Sequence, residues 1–322
     1  MKSNRPIRLL INRVALALTL LTSLFALSTP ARAGIGLFGG SLAWTSYGHT
    51  FTSAYNSGTI GTYLNEFKSN HLNYVRVWVC EGLDGLTIDG NGNCTGISSQ
   101  LISNVQNFVW QANNLGITVE FVFINYQDVL NHPNLVTNSN NMWSLINNGL
   151  VPLGKAVQGY TCQFDLINEG DHSVSYVGWG YLRQWVINAK WALNNNGVNR
   201  WVTMSDSNYA DLTNNLSGTV GGLGLNFYEY HMYNDQGWCP VASYLGGVPV
   251  ELSEFGAATP AEGWNHNSYT FNKALLGNFM NNAQSQGYIC AAFWSYINDG
   301  DYQLRGNQLM GDISWWGATF GH

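Results

Sequence analysis

The chain has 322 residues, a formal net charge of −6 and only 10% charged residues, against 45% hydrophobic and 14% aromatic. That length suits one large domain, and the acidic balance excludes the basic face that a nucleic-acid binder needs. Five cysteines without a CxxC pair and seven histidines without an HExxH run give no metal-site spacing, so neither a metal nor a cofactor is expected.

Lys2, Arg5, Arg8 and Arg13 precede a mostly apolar run over 14–27, and Ala31-Arg32-Ala33 follows as an A-x-A cleavage site. Residues 1–33 are therefore expected to be a secretion signal, and 34–322 one secreted (extracellular or periplasmic) catalytic domain, with its mature start at Gly34. The run is short for a bilayer span, and nothing later is long and apolar enough, so no membrane association is expected after cleavage. The signal holds five of the 13 basic residues and none of the 19 acidic ones, which leaves the remainder at a net charge of −11. A monomer is expected.

Eight short apolar runs read as strands: 35–41, 74–79, 118–124, 163–168, 201–205, 225–230, 248–253 and 289–294. Helical periodicity lies between them. Leu101, Val105, Phe108, Ala112 and Leu115 share one face after Ser98-Ser99 and before Gly116. Leu182, Val186, Ala189 and Leu193 repeat the pattern ahead of Gly197, and Phe271, Leu275 and Phe279 repeat it before the last strand. The units around strands five and six are short, so their helices are expected to shrink to single turns. Strand–helix alternation implies a parallel sheet with right-handed crossovers, and eight units close a (β/α)8 TIM barrel.

An odd number of cysteines leaves at least one thiol without a partner in the chain. Cys80 ends strand two and Cys94 lies in the Gly/Asn-rich loop after it, so a disulfide is expected to close that loop, contributing about 3 kcal/mol in the chain-entropy picture. The pairing of Cys162, Cys239 and Cys290 stays open.

Two strands end in a glutamate with glycine nearby: Asn168-Glu169-Gly170 on strand four, and Glu254-Phe255-Gly256 on strand seven. Carboxylates at the C-terminal mouth of a barrel occupy its catalytic face, and two of them on different strands suit cleavage of a glycosidic bond. Abundant Trp and Tyr offer flat faces for sugar rings, though barrels also use such residues as core filler.

Arg76 in Val-Arg-Val-Trp, Asn168-Glu169, His231 and Tyr233 in Tyr-His-Met-Tyr, Glu254, and Trp294 in Phe-Trp-Ser-Tyr fall in this order on strands two, four, six, seven and eight. This series resembles the clan A glycoside hydrolases, retaining enzymes on (β/α)8 barrels, and within them glycoside hydrolase family 5, the cellulase and β-mannanase family. The resemblance spans nearly all of 34–322, with one departure: Ile124 stands in Ile124-Asn125-Tyr126 where the family usually has histidine. It implies Glu254 as nucleophile, Glu169 as acid/base, Asn168 on the sugar 2-hydroxyl, Tyr233 on Glu254, and Trp294 under the cleaved sugar. Arg76 would hold Glu254 ionised. His231 would orient Glu169 or the sugar, or be a hydrogen-bonded core histidine. Trp44 and Trp78 extend the aromatic surface. Trp238 and Trp264 are candidates for outer sugar subsites, or loop packing. Asp165 and Glu251 read as buried partners of arginine or as loop caps, and Glu81, Asp206 and Glu229 as candidate substrate contacts. The expected activity is a retaining endo-β-glycanase on a β-1,4-linked polysaccharide, glucan or mannan. The alternatives are an exo-acting β-glycosidase or β-1,3-glucanase, and a carbohydrate-binding barrel without catalysis.

Overall fold

β1 (Leu37–Ser41) carries glycine at its centre for a steric reason: a Cβ on Gly39 would fall 1.8 Å from the carbonyl oxygen of Tyr74 on the next strand. That next strand, β2 (Tyr74–Trp78), pairs in parallel with β1 and with β3 (Thr118–Asn125), which pairs with β4 (Cys162–Asn168). β5 comes in two pieces, Trp201–Thr203 against β4 and Ser205–Asp206 against β6 (Tyr228–Tyr233), with Met204 at the break. β7 (Val248–Gly256) joins β6 to β8 (Cys290–Phe293), and β8 returns to β1. All these ladders are parallel, so the eight strands close a (β/α)8 barrel. The computed structural model describes residues 35–322; the expected secretion signal and its cleavage site after Ala33 lie outside the described residues.

Three of the long helices follow their sequence signals. α1 (Ser57–Ser69) starts at Asn56, whose side chain accepts from the Thr59 N–H. α2 (Ser99–Asn114) starts at Ser98, whose hydroxyl accepts from the Leu101 N–H, and buries Leu101, Val105, Phe108, Val109 and Ala112. Burial of each large side chain in that set contributes about 1.5–3 kcal/mol. Gly116 beyond it takes φ 75°, a left-handed turn open to glycine. α3 (Val174–Asn195) and α4 (Tyr269–Gln286) carry the other two expected faces, and α5 (Met310–Phe320) covers the end of the chain. Only a single turn, Ala210–Thr213, follows β5, and no helix lies between β6 and β7 among the described residues. No helix among the described residues is long and apolar enough to cross a membrane.

Three features differ from the expectation. β6 starts at Tyr228 and runs to Tyr233. Asn226 ties the preceding residues to β5 instead: its N–H donates to the Val202 carbonyl and its side-chain oxygen accepts from the Val202 N–H. The loop after β2 folds into an antiparallel hairpin, Leu86–Ile88 with Cys94–Ile97. Cys80 and Cys94 are both free and buried, so no disulfide closes that loop. It is held by the hairpin, by the Cys94 N–H donating to Ser144 Oγ at 2.9 Å, and by Asn148 Nδ2 donating to the Cys94 carbonyl at 2.8 Å. Cys162, Cys239 and Cys290 are also free and buried.

The main apolar core lies between the barrel wall and the helices. A smaller apolar cluster of Leu37, Tyr74, Cys290 and Ala292 stands apart from it. The alternate positions of β2, β3, β4, β6 and β7 carry Arg76, Glu120, Gln163, Asp165, Glu229 and Glu251, all buried and in mutual polar contact inside the barrel.

Candidate active site

Arg76 is the hub. It is fully buried, and its guanidinium donates from Nε to Glu120 Oε1 at 2.7 Å, from Nη1 to Glu254 Oε1 at 2.5 Å, and from Nη2 to Asp165 Oδ2 at 2.6 Å and Asn168 Oδ1 at 2.8 Å. Glu229 Oε1 stands 3.2 Å from Nε, and the Trp78 ring lies 4.6 Å from the guanidinium carbon. One cation thus serves four carboxyls. The planar fork of arginine suits this, since each edge meets a different acceptor.

Glu254 reaches the hub through an irregularity. Strict alternation along β7 would send Glu251 and Glu254 to opposite faces. The register against β6 slips instead: Leu252 pairs with Tyr230 and Glu254 with His231, which makes Ser253 an extra residue. This β-bulge brings Glu254 round to the same interior as Glu251. The other Glu254 oxygen accepts from the Tyr233 hydroxyl at 2.6 Å and lies 3.5 Å from His231 Nδ1.

Glu169 sits just past β4 in the left-handed region, φ 49° and ψ 46°. A non-glycine residue there costs about 1–2 kcal/mol and is found where surrounding structure enforces it. Here the Glu169 N–H donates to Ser205 Oγ at 2.9 Å, and Gly170 packs so tightly that a Cβ would stand 2.7 Å from Met204 Sδ. Its carboxylate bonds His231 Nδ1 at 2.8 Å, with His172 Nε2 at 3.6 Å. One oxygen of Glu169, one of Glu254 and a His231 nitrogen all lie within 4.8 Å of one another. Those donor types could hold a cation, but Arg76 and Tyr233 already occupy the Glu254 oxygens.

Burial is the largest influence on both carboxyls and pushes both up. On Glu169 the hydrogen bond and charge of His231, helped by His172 and Arg76, outweigh it, so the group lies below the usual glutamate value. On Glu254 burial prevails over His231 and Arg76, Glu169 adds to it, and the group lies above. This corrects the expectation that Arg76 holds Glu254 down: it pulls in that direction, but its charge is divided among four carboxyls. Burial pushes His231 down, while Glu254 and Glu169 more than compensate and leave it above its ordinary value.

The remaining expected residues separate into two groups. Trp294 is half-buried beside Trp44 and Trp78 in edge-to-face contacts of 5.3–5.8 Å, and its indole N–H donates to Asp299 at 2.7 Å. Trp238 is 47% exposed and meets Tyr209 edge-on. Trp264 is not a sugar platform: it is 1% exposed, and its indole N–H donates to the Trp294 carbonyl at 2.7 Å, so it supports Trp294 from beneath. Glu229 and Asp206 are fully buried, which removes them as substrate contacts. Glu251 bonds Gln163 rather than arginine, whereas Asp165 does pair with Arg76. Glu81 is buried and accepts from Asn125 Nδ2 at 3.1 Å. Sequence reasoning missed Ser205, which fixes the Glu169 backbone, and the pair Tyr126–His172, whose rings lie 4.9 Å apart beside Glu169. The Asn125-Tyr126 that follows Ile124 was the available signal for this wall of the site.

The fold is that of a (β/α)8 barrel, with a polar cluster through its interior and Glu169, Tyr233 and Glu254 at or near the C-terminal ends of their strands. Comparison with known proteins agrees. The chain matches the β-mannanase structure of the blue mussel Mytilus edulis with TM-score 0.67 at 21% identity, over 88% of this chain and 92% of that one. It matches the endo-1,4-beta-mannanase of Eisenia fetida with TM-score 0.69 at 19% identity, over 89% and 91%. In sequence, it is 29% identical over 150 residues to a mannan endo-1,4-beta-mannosidase of Mytilus edulis, a stretch covering 44% of this chain and 41% of that protein. No family model matches the chain.

Proposed function

We propose that this chain is a secreted, retaining endo-β-1,4-mannanase that acts as a monomer on mannan and its oligosaccharides. The observation that carries the reading is the approach of Glu169 and Glu254, with carboxylate oxygens within 4.8 Å. One oxygen of each carboxyl at this range is in keeping with a retaining pair, whose carboxyls stand about 5–5.5 Å apart, rather than with the roughly 6.5–9.5 Å of an inverting pair. Mannan is the substrate in the names of the similar proteins.

In this reading Glu254 attacks the anomeric carbon, while the charge of Arg76 and the Tyr233 hydroxyl stabilise its ionised form. Glu169, ionised in the free site, receives the proton of His231 Nδ1 at 2.8 Å, passes it to the leaving oxygen, and later takes a proton from the attacking water, which returns to His231. Asn168 has its oxygen engaged by Arg76 and turns its amide N–H, held only at 3.4 Å by Asn125, towards a sugar hydroxyl. Trp294 forms the floor under the cleaved sugar, and Trp238 an outer platform.

The test is reducing-sugar release from mannan, glucomannan, cellulose, xylan and β-1,3-glucan, with Glu254→Gln as blank and NMR of the first-formed anomer. Mannan should be cut internally with retention. A first product of inverted configuration, or wild-type turnover by Glu254→Gln, would overturn the reading. Export is tested by mass spectrometry of secreted protein, which should begin at Gly34.

A further inference from the structure

Next to the site, three aspartates from two barrel connections converge. Asp171 lies in the turn after Glu169, Asp206 ends β5, and Asp211 lies in the single turn that follows; one oxygen of each is within 4.8 Å of the others. Among the described residues no Lys, Arg or His is within ion-pair distance of any of the three. Asp171 is pre-oriented: its carboxylate accepts from the Ser207 N–H at 2.7 Å, from the Ser207 hydroxyl at 2.5 Å and from Asn208 Nδ2 at 3.1 Å. Asp206 is the decisive member. Its side chain is fully buried, and neither carboxylate oxygen accepts a hydrogen bond, although both are shielded from solvent. Buried carboxylates are otherwise paired, hydrogen-bonded or bound to metal.

We propose that Asp171, Asp206 and Asp211 form a binding site for a hard divalent cation, calcium. An all-oxygen set of three carboxylates, with neighbouring carbonyls and water to complete six to eight ligands, is the donor chemistry that calcium takes. The position has a structural use. The barrel ladder breaks at Met204, and no helix of more than a turn covers the β5–β6 connection. An ion shared by Asp171, Asp206 and Asp211 cross-links the turn that carries Glu169 to that thinly covered segment. This runs against the absence of a metal expected from sequence, because the three residues have no motif spacing and meet only through the barrel.

The experiment uses the whole protein, stripped with EDTA and then given calcium chloride or terbium, and does not depend on any glycanase activity. If affinity lies in the range of about 10⁻⁴–10⁻³ M typical of extracellular modules, calcium at about 10 mM should raise Tm by about 3–10 °C. Tyr209 lies between the ligands in sequence and touches Trp238, so terbium in the site should luminesce on aromatic excitation and lose the signal to added calcium. Asp211→Asn, a half-buried position, should fold normally and lose both responses; Asp206→Asn should lose them while melting no lower than the stripped wild type. No Tm rise and no terbium signal in the wild type would overturn the proposal. So would full calcium and terbium responses in Asp211→Asn.

Discussion

Tyr233 isolates what a single hydrogen bond does for the proposed nucleophile. Its hydroxyl donates to Glu254 at 2.6 Å and thereby lowers a carboxyl that burial raises. Tyr233→Phe should lower kcat by about 10–100-fold, the range of a hydrogen bond to a charged group. The pH consequence has a definite sign. Glu254 must be ionised to attack, and without Tyr233 its pKa rises further, so the acidic limb of kcat/KM moves to higher pH. Steady-state profiles of the two proteins check this; a limb that stays in place would contradict the assignment of Glu254. Both glutamates were legible in the sequence because each closes an apolar run beside a glycine. Trp264 was not, because a tryptophan in a loop after β7 reads the same whether its indole faces sugar or, as found, the Trp294 carbonyl.

Caps and periodic faces made the long helices readable, and the same signals give a measurable prediction. Removing the hydroxyl that accepts from the Leu101 N–H, in Ser98→Ala, should cost about 1 kcal/mol and lower Tm by about 2–4 °C, read by thermal melts. α1 escaped notice because its buried face is only Ile60, Leu64 and Phe67, interrupted by Gly58 and Gly61. The bulge at Ser253 was illegible for a deeper reason. Period-two alternation puts residues 251 and 254 on opposite faces, and only pairing against β6 shows the extra residue that reunites them. The limits of β6 were misread likewise, since Asn226 looks like part of an apolar run until its side chain is seen bonding Val202.

At the scale of the whole barrel, the interior holds more acid than one arginine can balance. Glu229 is fully buried, neither of its oxygens has a hydrogen-bond partner, and it shares Arg76 with Glu120, Asp165 and Glu254. Burial first, then the charges of Glu120 and Asp165, push its pKa well up. A raised carboxyl pKa has a fixed effect on stability. Below the unfolded value, about 4.3, both states are protonated and nothing is lost; above it the unfolded chain ionises first, and folding weakens until pH passes the folded value. Each unit of separation costs about 1.4 kcal/mol once pH exceeds both. Glu229→Gln keeps the shape, removes the titration and leaves Arg76 three carboxylates. Its Tm should therefore match the wild type near pH 4 and exceed it increasingly towards pH 8. Melting curves across that range decide the matter: a gap that is constant, or that narrows as pH rises, would mean that Glu229 is ionised in the folded barrel and that Arg76 depends on it.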